Sequence, residues 1–301
     1  MSSPFRSDCL KGKIALVTGG GSGICFEITK QLLLHGCDGA VICGRRETFL
    51  IKSCALLERT TNKPCLYKVC DVRDAQACVD AVQYCMRNFH KLDILVNGAA
   101  GNFLAEAKSL TPKGFKTVMD IDTLGTYHMS HAAHSALCAA GGSSSSSHNS
   151  VIINISATLH YGATWYQCHA SAAKSAVDSL TRSWALEWGS DNIRVVGIAP
   201  GPIADTPGTT KLAPPGIIDK SDIQELVNEG IPLSRMGQTW DIGMAAVYLC
   251  SDGASYVTGH TLVVVGGQWL YRPPLIPKEM VAELSRKVEA KSRAQAPKSK
   301  L

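Results

Sequence analysis

The sequence predicts an α/β fold, a single doubly wound domain on a seven-stranded parallel sheet. Three observations predict it: seven short apolar runs recur along the chain, amphipathic stretches long enough for crossover helices separate them, and the first run ends in a glycine-rich turn. The runs are KIALVT (13–18), GAVICG (39–44), CLYKVCDV (65–72), LDILVN (92–97), SVIINIS (150–156), IRVVGIAP (193–200) and TLVVV (261–265). Each is nearly all apolar, as strands covered on both faces require. Between them, CFEITKQLLLHG, DAQACVDAVQYCMRNF and AAKSAVDSLTRSWALEWG have the length and amphipathic pattern of the helices that link parallel strands.

At 301 residues, 45% hydrophobic and 18% charged, the chain can bury a substantial core and suits one α/β domain, or at most two. The net charge of +5 is mild and scattered, with no basic stripe carrying interleaved aromatics, so anionic small molecules are favoured weakly and no nucleic-acid partner is expected. The twelve cysteines show no CxxC pair and no Cys/His metal spacing, so they read as reduced, mostly buried thiols, and no metal is expected. No stretch approaches the roughly 18 apolar residues of a membrane span, and MSSPFRSDCL lacks the regions of a secretory signal, so a soluble, unsecreted protein is expected. Residues 1–12 read as an N-terminal extension, 13–270 as the folded domain and 271–301 as a basic tail. Ser299, Lys300 and Leu301 spell the address read by the peroxisomal import receptor, which predicts that receptor as a partner and the peroxisome as the location. Within the domain, GGSSSSSHNS (141–150) reads as a flexible insertion, and the segment from Pro202 to about Arg235 as a long connection of the kind that covers sites.

KIALVT runs into GGGSGIC and then a helix, so Gly19, Gly21 and Gly23 form a tight turn whose backbone N–H groups and helix N-terminus can hold a pyrophosphate. A strand before and a helix after, inside the first βαβ unit, give this turn the context of a Rossmann-type dinucleotide site. Cys25 stands where a third glycine would allow the closest helix packing. At the end of the second strand, where an acidic residue would bind a ribose 2′-hydroxyl, the chain has Gly44, Arg45 and Arg46. Two guanidinium groups suit a 2′-phosphate and predict NADP(H). The competing reading leaves both arginines solvated and makes Glu47 decisive, since a carboxylate there would repel that phosphate. Asp71, closing the third strand, is placed to accept from the adenine amino group or to serve as a turn residue.

These features, with NGAAG at 97–101, Lys174 and PGP at 200–202, resemble the short-chain dehydrogenase/reductase family from about Lys13 to Leu270. The resemblance assigns to the cofactor Thr18, Ser22 and Ile24 of the turn, Asn97 and Ala99 after the fourth strand, and Pro200, Gly201 and Ile203 after the sixth. It also implies a homo-oligomer. Members usually carry an Asn, a Ser, a Tyr and a Lys, with the Tyr four residues before the Lys. Here only Lys174 survives: Ala170 stands at the tyrosine position, Ala157 at the serine position and Asp122 at the asparagine position. Without the phenol, the chain should be poor at moving a proton to or from an alcohol or ketone oxygen.

AAGNF (99–103), FKTVMDIDTLGT (115–126), SATL (156–159), APGPI (199–203) and the SKL end together look like the family's peroxisomal dienoyl-CoA-reducing branch. In that branch an aspartate and the lysine are taken to position a water as proton donor, which carries over to Asp122 and Lys174; the lysine also meets the nicotinamide ribose. The resemblance further implies an acyl pocket at Asn102, Phe103 and Thr158 and CoA phosphate contacts at Arg45, Arg73 and Lys211. The implied activity is NADPH-dependent reduction of a 2,4-dienoyl-CoA to a 3-enoyl-CoA in the auxiliary β-oxidation of unsaturated fatty acids, with a fatty acyl-CoA as substrate. Two alternatives stay open: reduction of another CoA thioester such as a 2-enoyl-CoA, or an NADP-binding partner protein of little turnover. The second is suggested by Cys25, Gly98, Val196 and Val265, where the family usually differs. Bland readings stand beside the sharp ones. Lys174 and Asp178 can be a surface pair four residues apart, and Asp122 a helix feature. Tyr161 and Tyr166 are disfavoured as replacement acids, because the position that supplies the acid in mitochondrial relatives falls at Leu159. His160 and His169 read as satisfied helix or loop residues.

Overall fold

The computed structural model describes residues 2–141, 150–212 and 220–295, the side chains of 210–212, 220–224, 278, 279 and 295 excepted. Two compact units divide between Trp269 and Leu270. In the first, all seven expected strands form: β1 (Ile14–Thr18), β2 (Gly39–Gly44), β3 (Cys65–Val69), β4 (Ile94–Asn97), β5 (Ser150–Ile155), β6 (Ile193–Pro200) and β7 (Thr261–Val264). They make one parallel sheet in the order β3-β2-β1-β4-β5-β6-β7. The helices of this unit are α1 (Gly23–Leu34), α2 (Glu47–Thr61), α3 (Ala75–Phe89), α4 (Pro112–Val118), α5 (Gly125–Gly141), α6 (Cys168–Glu187), α7 (Pro207–Leu212), α8 (Lys220–Gly230) and α9 (Thr239–Cys250). The second unit consists of a short lead and α10 (Lys278–Gln295).

The period-two geometry of a strand explains why the runs are apolar throughout. Ala15 and Val17 of β1 share one face with Ile94, Val96, Val151 and Ile153, packed with Ile28 and Leu32 of α1, Leu57 of α2 and Ile242 of α9. Their chain neighbours Ile14, Leu16, Leu95 and Ile152 turn to the other face, against Val82 of α3, Met129 and Leu137 of α5 and Trp184 of α6. Each such Val, Leu, Ile or Met side chain, fully buried, contributes about 1.5–3 kcal/mol. The strand order reverses beside β1: β2 and β3 lie to one side, β4 and the later strands to the other. The divergence opens a crevice at the carboxyl ends of β1 and β4, where open α/β sheets bind ligands.

Several local expectations need correction. β3 stops at Val69, short of Val72, because the Cys70 N–H still reaches the Gly44 carbonyl at 2.9 Å while the Asp74 N–H already donates to the Asp71 carbonyl at 3.0 Å and closes a turn. Asp74 then caps α3 by accepting from the N–H groups of Gln76 and Ala77. The connection after Pro202 carries α7 and α8, and Ile223, Leu226 and Val227 supply the helical spacing in the latter. Leu10, placed in the N-terminal extension, is fully buried and its N–H donates to the His35 carbonyl at 2.8 Å. Residues 142–149 of the serine-rich insertion and the terminal tripeptide lie outside the described residues. All twelve cysteines are free thiols and nine are buried. No helix among the described residues is long and apolar enough to cross a membrane.

Candidate active site

Gly19 leaves β1 at φ +70° and Gly23 enters α1 at φ +56°, left-handed values that glycine adopts without strain. A Cβ on Gly19 would stand 2.9 Å from the Gly98 carbonyl oxygen, so the turn is pressed against the loop after β4. Thr18 fastens the two. Its hydroxyl accepts from the N–H groups of Gly98 at 3.0 Å and Ala99 at 3.1 Å and donates to the Val96 carbonyl at 3.3 Å. Gly21, Ser22, Gly23 and Ile24 are partly exposed along the turn. Ser22 occupies the N-cap of α1 without a side-chain bond, and the first N–H groups of the helix have no partner within it.

Not every residue assigned to the cofactor has its side chain in the crevice. Asn97 is buried, donating to Ser130 Oγ at 2.8 Å and to Asn154 Oδ1 at 2.9 Å, and Asn154 in turn donates to Thr181 Oγ1 at 2.9 Å. That chain of amides ties the sheet to α5 and α6. Gly201 follows Pro200 at the end of β6; its N–H donates to the Val264 carbonyl at 3.0 Å, and a Cβ there would lie 2.8 Å from Val265. Ile203 is buried and bridges to Gly237.

Cys25 and Gly98, two separate departures in the sequence, meet in space: a Cβ on Gly98 would lie 2.0 Å from the Cys25 sulfur. Burial pushes the Cys25 thiol up to about 12, against a smaller downward pull from Lys174. The thiol is therefore an inert filler of the space a second side chain would take, not a nucleophile.

At the end of β2, Arg45 and Arg46 are exposed, with the Arg46 guanidinium 4.5 Å over the Phe49 ring. Glu47 begins α2 and accepts from the Tyr67 hydroxyl at 3.4 Å. Asp71 and Arg73, expected at adenine and at a CoA phosphate, are paired with each other. Asp71 accepts from Arg73 Nε at 3.0 Å and from the Arg73 backbone N–H at 3.1 Å, and this guanidinium holds its carboxyl below the usual carboxylate range. The pairing uses the Nε–Nη2 edge of Arg73 and leaves Nη1 for another anion. Lys211 lies in α7 and its side chain is outside the described residues.

Asp122 sits in a π-helical turn, Met119–Leu124, inserted between α4 and α5. Such turns are rare and recur at functional sites. Asp122 Oδ1 accepts from Lys174 Nζ at 2.8 Å, and Oδ2 from the Gly101 N–H at 2.7 Å. Lys174, on α6, also donates to the Ile155 carbonyl at 2.8 Å. The two side chains are 2% and 10% exposed, so this is a buried ion pair. The surface-pair reading of Lys174 with Asp178 is wrong: Asp178 instead takes His160 Nε2 at 2.8 Å and the Thr261 hydroxyl at 3.2 Å. An ammonium carries three protons and a carboxylate roughly four acceptor sites, so one N–H of Lys174 and further sites on Asp122 remain for a ligand.

Where a tyrosine would stand, Ala170 packs with Val118, Ala173, Met119 and Leu159, so neither that position nor Leu159 offers a hydroxyl. The Tyr161 hydroxyl donates to Asp178 at 3.4 Å, and Tyr166 is half exposed at φ +62°. Asn102 donates to Gln167 Oε1 at 2.6 Å, Phe103 lies with its ring 4.4 Å from that of His169, and Thr158 is partly exposed after β5. His160 is satisfied at Nε2 alone. His169 is poorly satisfied: it is fully buried, and among the described residues neither ring nitrogen has a partner of good hydrogen-bond geometry, the Phe103 backbone only approaching it. Ser156 Oγ and Asn102 Oδ1 are likewise buried and without a hydrogen-bond partner among the described residues. From sequence this histidine reads as a satisfied helix residue. Its signal was position, next to the vacant tyrosine place and on the helix that carries Lys174.

A sequence profile described as enoyl-(acyl carrier protein) reductase matches residues 19–268. A protein of Arabidopsis thaliana named peroxisomal 2,4-dienoyl-CoA reductase, (3E)-enoyl-CoA-producing, is 51% identical over 306 aligned positions covering 100% of both chains. One of the same name from Pongo abelii is 42% identical over 269 positions, 89% of this chain and 88% of its own. A crystal structure of a short chain dehydrogenase from Bacillus anthracis matches with a TM-score of 0.77 at 32% identity, over 88% of this chain and 100% of its own.

Proposed function

Because this chain belongs to the short-chain dehydrogenase/reductase family, we propose that it is an NADPH-dependent reductase converting a 2,4-dienoyl-CoA to a 3-enoyl-CoA in the peroxisome. The observation that carries the reading is the buried Asp122–Lys174 pair at 2.8 Å beside Ala170, an ion pair where ketone-reducing members keep a phenol. Reduction of a conjugated thioester protonates carbon and forms no alcohol, so the missing phenol is no obstacle. The names of the Arabidopsis and Pongo relatives point to the same substrate.

The crevice suits a dinucleotide. The Gly19 turn has no room for a Cβ, the first N–H groups of α1 are free of helical partners, and two arginines stand at the end of β2. When bound, NADPH supplies a hydride, which C5 of the dienoyl group accepts. Negative charge then gathers on the thioester oxygen and C2 needs a proton. Asp122 and Lys174 hold the water that gives it: the carboxylate accepts one water O–H, the remaining lysine N–H polarises it or holds the nicotinamide ribose, and the hydroxide left behind takes a proton from solvent. The buried setting strengthens both contacts relative to water. Asn102, Phe103 and Thr158 line the acyl end, and Arg45, Arg73 and Lys211 meet the CoA phosphates.

The test is an assay of the purified protein with NADPH and 2,4-hexadienoyl-CoA beside crotonyl-CoA. NADPH is expected to be consumed with the dienoyl thioester alone, giving a product unsaturated between C3 and C4. Consumption with crotonyl-CoA alone favours the 2-enoyl reading, and binding without consumption the partner-protein reading. The cofactor assignment has its own check. Arg45→Ala with Arg46→Ala should raise the KM for NADPH about 10- to 100-fold while leaving that for NADH in place, as expected for lost charge-assisted bonds to a phosphate. An equal effect on both cofactors would return the decision to Glu47. Import through the receptor that reads Ser299–Leu301 is checked by the location of a fluorescent fusion with and without Leu301, and assembly with further copies of the chain by light scattering.

A further inference from the structure

The reaction outlined above lacks a donor for the thioester oxygen. Asp122 only accepts, and Lys174 has two of its three protons on Asp122 and Ile155, with the third taken by water or ribose. The same site contains a donor without an acceptor. His169, the second residue of α6, is fully buried, lies with its ring 4.4 Å from that of Phe103, and among the described residues has no partner of good hydrogen-bond geometry at either nitrogen, the Phe103 backbone only approaching it. The other unpartnered atoms nearby follow one pattern. Asn102 adjoins Gly101, whose N–H holds Asp122, and Ser156 adjoins Ile155, whose carbonyl holds Lys174. Buried polar atoms are almost always paired, so His169 and these atoms, next in sequence to residues that hold the ion pair, are suited to the polar groups of a ligand.

We propose that His169 donates a hydrogen bond from one ring nitrogen to the thioester oxygen of the bound dienoyl-CoA and stabilises the charge that gathers there. This rests on the dienoyl-CoA reductase reading. The imidazole acts as a neutral donor, since burial pushes its pKa down against smaller upward pulls from the Phe103 backbone and the Asp122 carboxylate. A neutral imidazole has one N–H and one lone pair, so the second nitrogen is left to accept from substrate or solvent. No bond to hydrogen breaks at His169. The oxygen gains charge when C5 takes the hydride and loses it when C2 takes the proton from the water held at Asp122 and Lys174. A preorganised donor in a dry site is worth more than the same contact in water.

The test uses the full chain and His169→Leu, which keeps an apolar filler against Phe103, with His169→Asn and His169→Gln as variants that restore a donor. Two readouts are needed. In the first, 2,4-hexadienoyl-CoA is bound without NADPH, and its near-ultraviolet band should move to longer wavelength on the wild type as the carbonyl is polarised. His169→Leu should bind the thioester and lose that shift. In the second, kcat should fall about 100-fold in His169→Leu, the loss typical of one oxyanion donor, with NADPH affinity unchanged and about tenfold of the rate returned by Asn or Gln. If His169→Leu does not fold, the Asn and Gln variants must keep a band shift and a rate that track each other. Turnover by the wild type with no band shift would overturn the role of His169 and leave the reductase reading intact. A shift that depends on His169 without turnover would do the reverse. Wild-type kcat in His169→Leu also overturns the proposal.

Discussion

Asp122→Asn is expected to lower turnover of a 2,4-dienoyl-CoA by about 1000-fold, within the range for losing a group that handles the proton. Both Asp122 oxygens accept from donors, Lys174 Nζ at 2.8 Å and the Gly101 N–H at 2.7 Å. An asparagine offers one acceptor oxygen and one NH₂, so its NH₂ must face one of those donors. Whichever way the amide turns, the buried Lys174 charge loses its counter-charge and keeps only neutral oxygens, the Ile155 carbonyl at 2.8 Å among them. Removing one partner of a buried pair costs about 3–5 kcal/mol, and the surviving carbonyl contact places this case at the low end. Activity and stability therefore fall together in the single variant, and a second substitution separates them. Adding Lys174→Met removes the stranded charge, so denaturant unfolding should recover most of the lost stability, since buried ion pairs replaced by apolar groups are often neutral. Turnover should stay at the level of the single variant or below it. If Asp122→Asn kept turnover within about tenfold of wild type, the pair would be structural and its place in proton delivery would be lost.

How much of this was readable follows from which signals are local. The strands were, because sheet positions covered on both faces need unbroken apolar runs, and the two-face alternation of Ile14, Ala15, Leu16 and Val17 is a property of one segment. The glycine turn was too, since strand, glycines and helix are consecutive. Asp122 and Lys174 were picked out together by resemblance, but no spacing encodes that a π-helical turn on one side and α6 on the other bring their charges to 2.8 Å. The same limit separates the competing readings. Lys174 and Asp178 are four apart on a helix, yet partners from β7 and the turn after β5 claim Asp178. Asp71 and Arg73 were assigned separate ligands by resemblance, which carries no sign that the two also pair across one turn and leave Nη1 of Arg73 for an anion. His169 was taken as satisfied because a lone histidine in an apolar helix usually is, and only the absence of a well-placed hydrogen-bond partner among the described residues contradicts it.

Gly98→Ala should destabilise the protein by about 1–3 kcal/mol, the usual range for overpacking, and loosen its hold on NADPH. The added Cβ would fall 2.0 Å from the Cys25 sulfur and 3.1 Å from the Thr18 carbonyl oxygen. Cys25 is 5% exposed and lies in the first turn of α1, so relief of the clash must move either that turn or the loop after β4, and both border the cofactor crevice. Cys25→Gly alone should also destabilise, by about 1 kcal/mol for a glycine in a helix and more for the cavity. The pair is expected to behave differently from its parts. With Gly98→Ala present, Cys25→Gly vacates the space the new Cβ needs, so the second substitution should raise stability where alone it lowers it. Denaturant unfolding of the four proteins in a double-mutant cycle reads this change of sign directly, because residues in contact couple and distant ones add. Simple addition of the two losses would mean that the thiol swings away at no cost and that the two departures are unrelated. The expected coupling instead makes them one exchange: the side chain absent at position 98 has been moved to position 25, and a thiol beside the nucleotide turn is compatible with a working crevice.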